Sequence, residues 1–258
     1  MKNVETIYGL HAVRSMLMRH PQRVIAVRLM ESRDDPRARE IEELARKNGR
    51  TIQRIDPRAL KQALGDVTHQ GVVADIESLP PWTEDDLVTA LENARDPLIL
   101  VLDGVQDPHN LGACLRTADA CGALAVVVPK DRAAQLNATV RKVATGAAET
   151  TPVVAVTNLA RALKMMKEAG LWVVGADADG PKLAHEADLR GGTVLVLGAE
   201  GSGLRQLTRQ NCDFIVRLPS LGAVESLNVS VAAGMLLYEA VRQRSMPPAV
   251  SRGPKLDP

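Results

Sequence analysis

The run Thr193-Val-Leu-Val-Leu197 is apolar toward both sides of an extended chain and breaks at once into Gly198-Ala-Glu-Gly-Ser-Gly203. A strand with one wet face alternates apolar and polar residues. One without that alternation has to be covered twice, as inside a parallel sheet flanked by helices. The glycines that follow let the backbone turn sharply and approach a ligand closely. A second run, Phe214-Ile-Val-Arg-Leu218, stops at Pro219, and residues 221–225 lead into Ser226-Leu-Asn-Val-Ser230 and a helix reaching about Arg244. The pattern predicts a pocket walled by loops that follow strands.

Upstream the same rhythm recurs. Spacing of apolar residues predicts strands at 98–102, 124–128, 153–156 and 171–175, with helices at 84–94, 110–121, 137–144 and 159–169 between them. Such alternation gives an α/β unit with a mostly parallel sheet. Residues 1–78 repeat the scheme on a smaller scale: a helix from Tyr8 to His20, strands at 24–29, 51–55 and 71–76, and helices at 36–48 and 57–64. Leu79-Pro-Pro-Trp-Thr83 interrupts, because paired prolines cannot join a central strand and stiffen a connection. The expected organisation is a small N-terminal α/β unit over 1–78, a linker and connecting helix over 79–93, a larger unit over 94–246 and a disordered tail over 247–258.

Charge and cysteine usage exclude some classes. Residues 1–78 carry 14 Lys/Arg against 11 Asp/Glu and residues 79–246 carry 16 against 19, too balanced for a binder that relies on many phosphate contacts. Shape-specific RNA recognition stays open. Cys114, Cys121 and Cys212 are odd in number and form no C-x-x-C pair, so neither a disulfide framework nor a metal site is expected. No signal peptide is legible, and no apolar run approaches the roughly 18 residues of a membrane span, so a cytoplasmic protein away from membranes is expected.

Three polar clusters each follow a predicted strand. In the first, Asn110 stands where a helix cap belongs and Arg116 follows on the same helix. Alone, these read equally as a cap and a surface arginine. The second is the glycine turn with Glu200 inside it. Its G-x-x-G-x-G spacing is not the dinucleotide fingerprint G-x-G-x-x-G, which disfavours a nucleotide-dependent oxidoreductase. In the third, Ser226 can cap the last helix, with Asn228 and Ser230 in its first turn.

As a set, Asn110-Leu-Gly-Ala-Cys-Leu-Arg116, Leu197-Gly-Ala-Glu200-Gly201 and Leu218-Pro219 followed by Ser226-Leu-Asn228-Val-Ser230 resemble the three motifs of the SpoU family of RNA ribose 2′-O-methyltransferases. Tyr8-Gly-Leu-His-Ala-Val resembles the start of that family's RNA-binding unit. Within that family the chain resembles bacterial enzymes that methylate a guanosine ribose in 23S ribosomal RNA. The resemblance implies a SPOUT fold, whose C-terminal segment threads an earlier loop to form a deep trefoil knot. It implies S-adenosylmethionine as cofactor and a homodimer with the site at its interface. Carried over by position, Gly198, Leu218 and Leu227 line the adenosine pocket with Leu197, Gly201 and Ser230, while Arg116, Asn110, Glu200, Ser226 and Asn228 form the catalytic group. Arg14, Arg19, Arg23 and Arg28 are candidate phosphate contacts in the N-terminal unit. A tRNA ribose methylase and a non-catalytic RNA-binding protein with the same fold are the alternatives.

Overall fold

Val4–Tyr8 is a strand, β1, which the sequence did not announce. Its partner β4 (Val72–Glu77) runs antiparallel to it, pairing Val4 with Glu77 and Tyr8 with Val73. A ladder closed from so far along the chain overrides the weak local signal of Val-Glu-Thr-Ile-Tyr. The computed structural model describes residues 4–64, 69–77, 81–201, 203–223 and 226–245. The expected disordered tail lies outside these residues.

Between the two strands come α1 (Leu10–Arg19), β2 (Val24–Met30), α2 (Pro36–Lys47), β3 (Thr51–Ile55) and α3 (Pro57–Leu64). The sheet order is β1-β4-β2-β3. Helix α1 turns Leu10, Val13 and Leu17 inward, as their spacing predicts, and adds Met16. Helix α2 starts where the Asp35 side chain accepts from the Arg37 and Ala38 amides, with Pro36 supplying a first residue that has no N–H to satisfy.

The larger sheet is built from β5 (Leu98–Asp103), β6 (Ala125–Pro129), β7 (Val153–Val156), β8 (Trp172–Ala176), β9 (Lys182–Leu183), β10 (Thr193–Gly198) and β11 (Phe214–Arg217). Its order is β7-β6-β5-β10-β8-β11-β9, and all of its strand pairs are parallel. Every residue of β5 and β6 is buried, the mark of a sheet covered on both faces. The helices are α4 (Glu84–Asn93), α5 (Pro108–Ala120), α6 (Ala138–Ala144), α7 (Leu159–Glu168), α8 (Gln206–Gln210) and α9 (Val229–Ser245). Leu100, Leu102 and Leu195 pack with Leu111, Leu115 and Leu236 of α5 and α9, whereas Ile99, Val101 and Val194 pack with Leu87 and Leu163 of α4 and α7. Successive strand residues thus serve opposite cores, each fully buried side chain stabilising by roughly 1.5–3 kcal/mol. The short elements β9 and α8 were not foreseen, being too brief to show a period.

Helix α9 ends against the loop that precedes β10. Arg244 donates to the Leu189 carbonyl at 3.0 Å, to Gly191 at 2.7 Å and to Asp96 at 2.8 Å. The two sheets meet where α1 touches the end of α6. Gly146 (φ 96°) lies so close that a Cβ there would stand 2.7 Å from Ala12 Cα. Ion pairs Arg19–Asp119 (2.8 Å) and Arg141–Glu5 (3.1 Å) cross the same boundary.

Candidate active site

Strands β5, β10, β8 and β11 end level with one another, since Gly198 pairs with Asp103, Leu197 with Ala176 and Val216 with Ala176. The turn after β10 closes on itself: the Gly203 amide donates to the Ala199 carbonyl at 3.0 Å. Gly201 and Gly203 have φ of 79° and 62°, and a Cβ on Gly198 would lie 2.0 Å from the Gly203 carbonyl carbon. Only glycine suits these positions. Leu218 follows β11 and is half-buried. With β8 between them, the ends of β10 and β11 stand roughly 10 Å apart, two strand spacings.

Two aspartates hold this turn from either side, and the sequence reading missed both. Asp103, 1% exposed at the end of β5, accepts from the Arg205 amide at 3.1 Å and faces the Arg205 guanidinium at 3.5 Å. Asp177, just past β8, pairs with Arg209 at 2.6 Å. Arg205 precedes α8 and Arg209 lies in it, so the segment after the turn is fastened on both sides of β10. A buried carboxylate is costly without such a partner. The signal was legible in Leu98-Ile-Leu-Val-Leu-Asp103, where an acid closes a wholly apolar strand.

Glu200 leaves the turn to join groups from both flanking helices. Its Oε1 accepts from Asn110 Nδ2 at 3.1 Å, from Asn228 Nδ2 at 2.7 Å and from the Val229 amide at 3.3 Å. Asn228 also donates to Asn110 Oδ1 at 3.0 Å, across 118 residues of sequence. Ser230 donates its hydroxyl to Asn228 Oδ1 at 2.6 Å. Leu227, 40% exposed, stands beside this network. Ser226 is exposed and outside it.

Two expected caps are corrected. Helix α5 starts at Pro108, and Asp107 accepts from the His109 amide as its cap, so Asn110 is already helical and free to bond across the site. Helix α9 starts at Val229 and its cap is Asn228, whose Oδ1 accepts from the Ser230 amide at 2.9 Å; Ser226 does not serve. In both cases a second polar residue nearby had the right chemistry, and chain geometry chose between them.

Arg116 does not join the network. Six residues of helix place it roughly 9 Å along α5 and about 120° around from Asn110. It is exposed, with no hydrogen bond or ion pair among the described residues, and it faces α1. Between the two faces lies Cys114, whose thiol is pushed up to about 12 by burial and then by the charge of Glu200, which keeps it protonated at neutral pH. Of the N-terminal arginines, Arg28 is committed to Asp75, and Arg23 donates to the Glu77 and Glu149 carbonyls. Arg14 and Arg19 stand near Arg116.

Comparison with known proteins extends these observations. The SpoU rRNA Methylase family matches residues 97–238, and a family described as RNA 2′-O ribose methyltransferase substrate binding matches residues 6–82. The 23S rRNA (guanosine-2′-O-)-methyltransferase RlmB of Pseudomonas syringae pv. tomato is 53% identical over 246 residues, covering 95% of this chain and 98% of the relative. The SpoU methyltransferase AviRb of Streptomyces viridochromogenes is similar in structure, with a TM-score of 0.72 at 28% identity over 93% of this chain and 90% of its own. In complex with AdoMet the same enzyme gives a TM-score of 0.71 at 26% identity, with the same coverage.

Proposed function

The chain belongs to the SpoU rRNA methylase family, and we propose that it methylates the ribose 2′-hydroxyl of a guanosine in 23S ribosomal RNA, using S-adenosylmethionine. The observation that carries this reading is the meeting of Asn110, Glu200 and Asn228, from three separated motifs, at the carboxyl ends of parallel strands, with Arg116 on another face of the same helix and without a partner among the described residues. Ligands of open parallel sheets bind at such strand ends. The ribosomal substrate is preferred over tRNA because the similarity to the 23S enzyme runs through both units of the chain.

The turn fits the cofactor: Gly198 packs backbone against the Gly203 backbone, and Gly201, Leu218 and Leu227, backed by the buried Leu197, offer an uncharged wall for a purine. S-adenosylmethionine supplies, when bound, an electrophilic methyl group on a sulfonium. Ser230 and Ser226 add hydroxyls at the rim. The Asn110–Glu200–Asn228 network fixes the turn against α5 and α9, and alignment of this kind contributes about 7–11 kcal/mol to such transfers. Arg116 holds the phosphate next to the target ribose and polarises the hydroxyl. Neutralising an arginine at pH 7 costs about 8 kcal/mol, so it acts as a charged donor and the hydroxyl loses its proton late in the transfer.

Residues 1–78 serve as the RNA-gripping unit and residues 94–246 as the catalytic one, with 79–93 connecting them. The catalytic unit carries the family's trefoil knot; the clasp of Arg244 on the 189–191 loop supports it. The working form is a homodimer. Val231, Met235 and Tyr238, exposed by 51%, 41% and 65%, form an apolar stripe along α9 next to the site, which a second copy would cover. No helix among the described residues is long and apolar enough to cross a membrane, and ribosomal RNA as substrate supports action in the cytoplasm. The test is mapping of 2′-O-methyl groups on a 23S rRNA transcript after incubation with the purified protein and S-adenosylmethionine. Methylation of one guanosine is expected; transfer only to tRNA, or none, would overturn the reading.

A further inference from the structure

Helices α1 and α5 face each other across a cleft of about 360 Å³. One wall presents His11, Arg14 and Ser15 from the N-terminal unit, the other Arg116; Arg19 and Asp119 join them at one end. Much of the cleft's negative charge is already engaged. Asp119 pairs with Arg19 at 2.8 Å and accepts from Thr150 at 2.5 Å and Thr151 at 3.1 Å. Glu40 of α2, behind α1, takes only the Nε of Arg14, at 2.7 Å, leaving most of that guanidinium's donors for another partner. Arg116 gives none of its donors to a partner among the described residues. No Phe, Tyr or Trp is among the described residues that line the cleft, so apart from the His11 ring it offers cations rather than a stacking platform.

We propose that this cleft holds the sugar-phosphate backbone of the substrate RNA beside the methylated nucleotide, with Arg14 and Arg116 of the same chain gripping neighbouring phosphates. The inference rests on the proposed methylation and adds to it a path. The substrate strand crosses from the N-terminal unit to the catalytic one between α1 and α5, and its bases are read elsewhere. Phosphate contacts position RNA without reading sequence, and Arg forks suit them.

The test uses the full chain, a 23S rRNA transcript for kinetics and an unrelated single-stranded RNA oligonucleotide for salt titration. Ser15 lies in the cleft without an ion pair to lose, so Ser15→Glu is expected to raise the RNA KM about tenfold and Ser15→Lys to lower it, both with unchanged S-adenosylmethionine affinity. Arg14→Ala is expected to flatten the slope of log affinity against log salt by about 0.7, one single-strand phosphate contact. Glu40→Ala, which breaks the same ion pair from the other side, is expected to bind RNA as well as the parent or better. A purely structural role would harm Arg14→Ala and Glu40→Ala alike. That result would overturn the proposal, as would equal KM values for the two Ser15 variants. Failure of the methylation reading itself would show as no transfer by the unsubstituted protein, while the oligonucleotide's salt slope still reports on the cleft.

Discussion

Helix α5 carries two polar faces that differ in kind. On one, Asn110 is bound to Glu200 and Asn228, and these hold the Val229 and Ser230 amides in turn. On the other, Arg116 projects into a cleft with no partner among the described residues. The helix between them is rigid: Leu111, Cys114, Leu115 and Ala118 are buried, and a Cβ on Gly112 would stand 2.7 Å from Val143 of the adjoining α6. A face whose groups are satisfied internally can hold loops in place but has little left to bind with. A face left open costs nothing in water and keeps its strength for a charged ligand.

The closed face rests on the glycine turn at its base. In Gly198→Ala the new methyl would overlap the Gly203 carbonyl carbon at 2.0 Å, so the turn cannot close. Isothermal calorimetry is expected to show loss of S-adenosylmethionine binding and thermal unfolding a lower midpoint. Arg116→Ala is the complementary experiment. Because the side chain is exposed and bonds to none of the described residues, its removal should leave cofactor affinity and melting temperature at parent values. The methylation rate should fall on the order of 10²–10³, as when a charge-stabilising donor is deleted elsewhere. Arg116→Lys should recover little of it, since lysine lacks the fork.

A smaller effect is expected from Asn228→Ala. It removes a helix cap and one strut of the network while Glu200 keeps its bond to Asn110. A loss of about 1 kcal/mol in stability, with S-adenosylmethionine binding weakened several-fold, is the expected result. If Asn228→Ala lowered the rate without touching cofactor affinity, Asn228 would belong with Arg116 and the division of α5 into two faces would fail.

Much of this division was legible in the sequence, and the gaps have physical causes. The apolar runs at β5, β6 and β10 and the glycine turn state a doubly covered parallel sheet outright, because burial on both faces leaves no other composition. The motif residues were legible as a set through family resemblance. Their partners were not, since the Glu200–Asn110 bond joins positions 90 residues apart. Asp107 and Asn228 displaced Asn110 and Ser226 as caps because several cap-competent residues stood together. The cleft was beyond reach altogether: Arg14 and Arg19 read as candidate phosphate contacts of the N-terminal unit, but nothing in the sequence set α1 against α5.

The walls of the open face are held together in part by a buried carboxylate. Glu149, in the turn after α6, is 7% exposed and pairs with Arg141, which also holds Glu5 of β1. Its backbone carbonyl accepts from Arg23. Burial, only partly offset by Arg141, raises its carboxyl above the ordinary 4.5. Above 4.5 the unfolded chain releases this proton while the folded one retains it, up to the raised value. The unfolded state then binds fewer protons, so this group makes stability decline as pH rises through that window. Glu149→Gln, although it removes an ion pair, is therefore expected to melt slightly above the parent at neutral pH and to match it below pH 4.5. A lower melting point for the variant at neutral pH would mean that the Arg141 pair outweighs the burial of the carboxylate, and that the boundary between the two units is held by charge as well as by the close approach of Gly146 and Ala12.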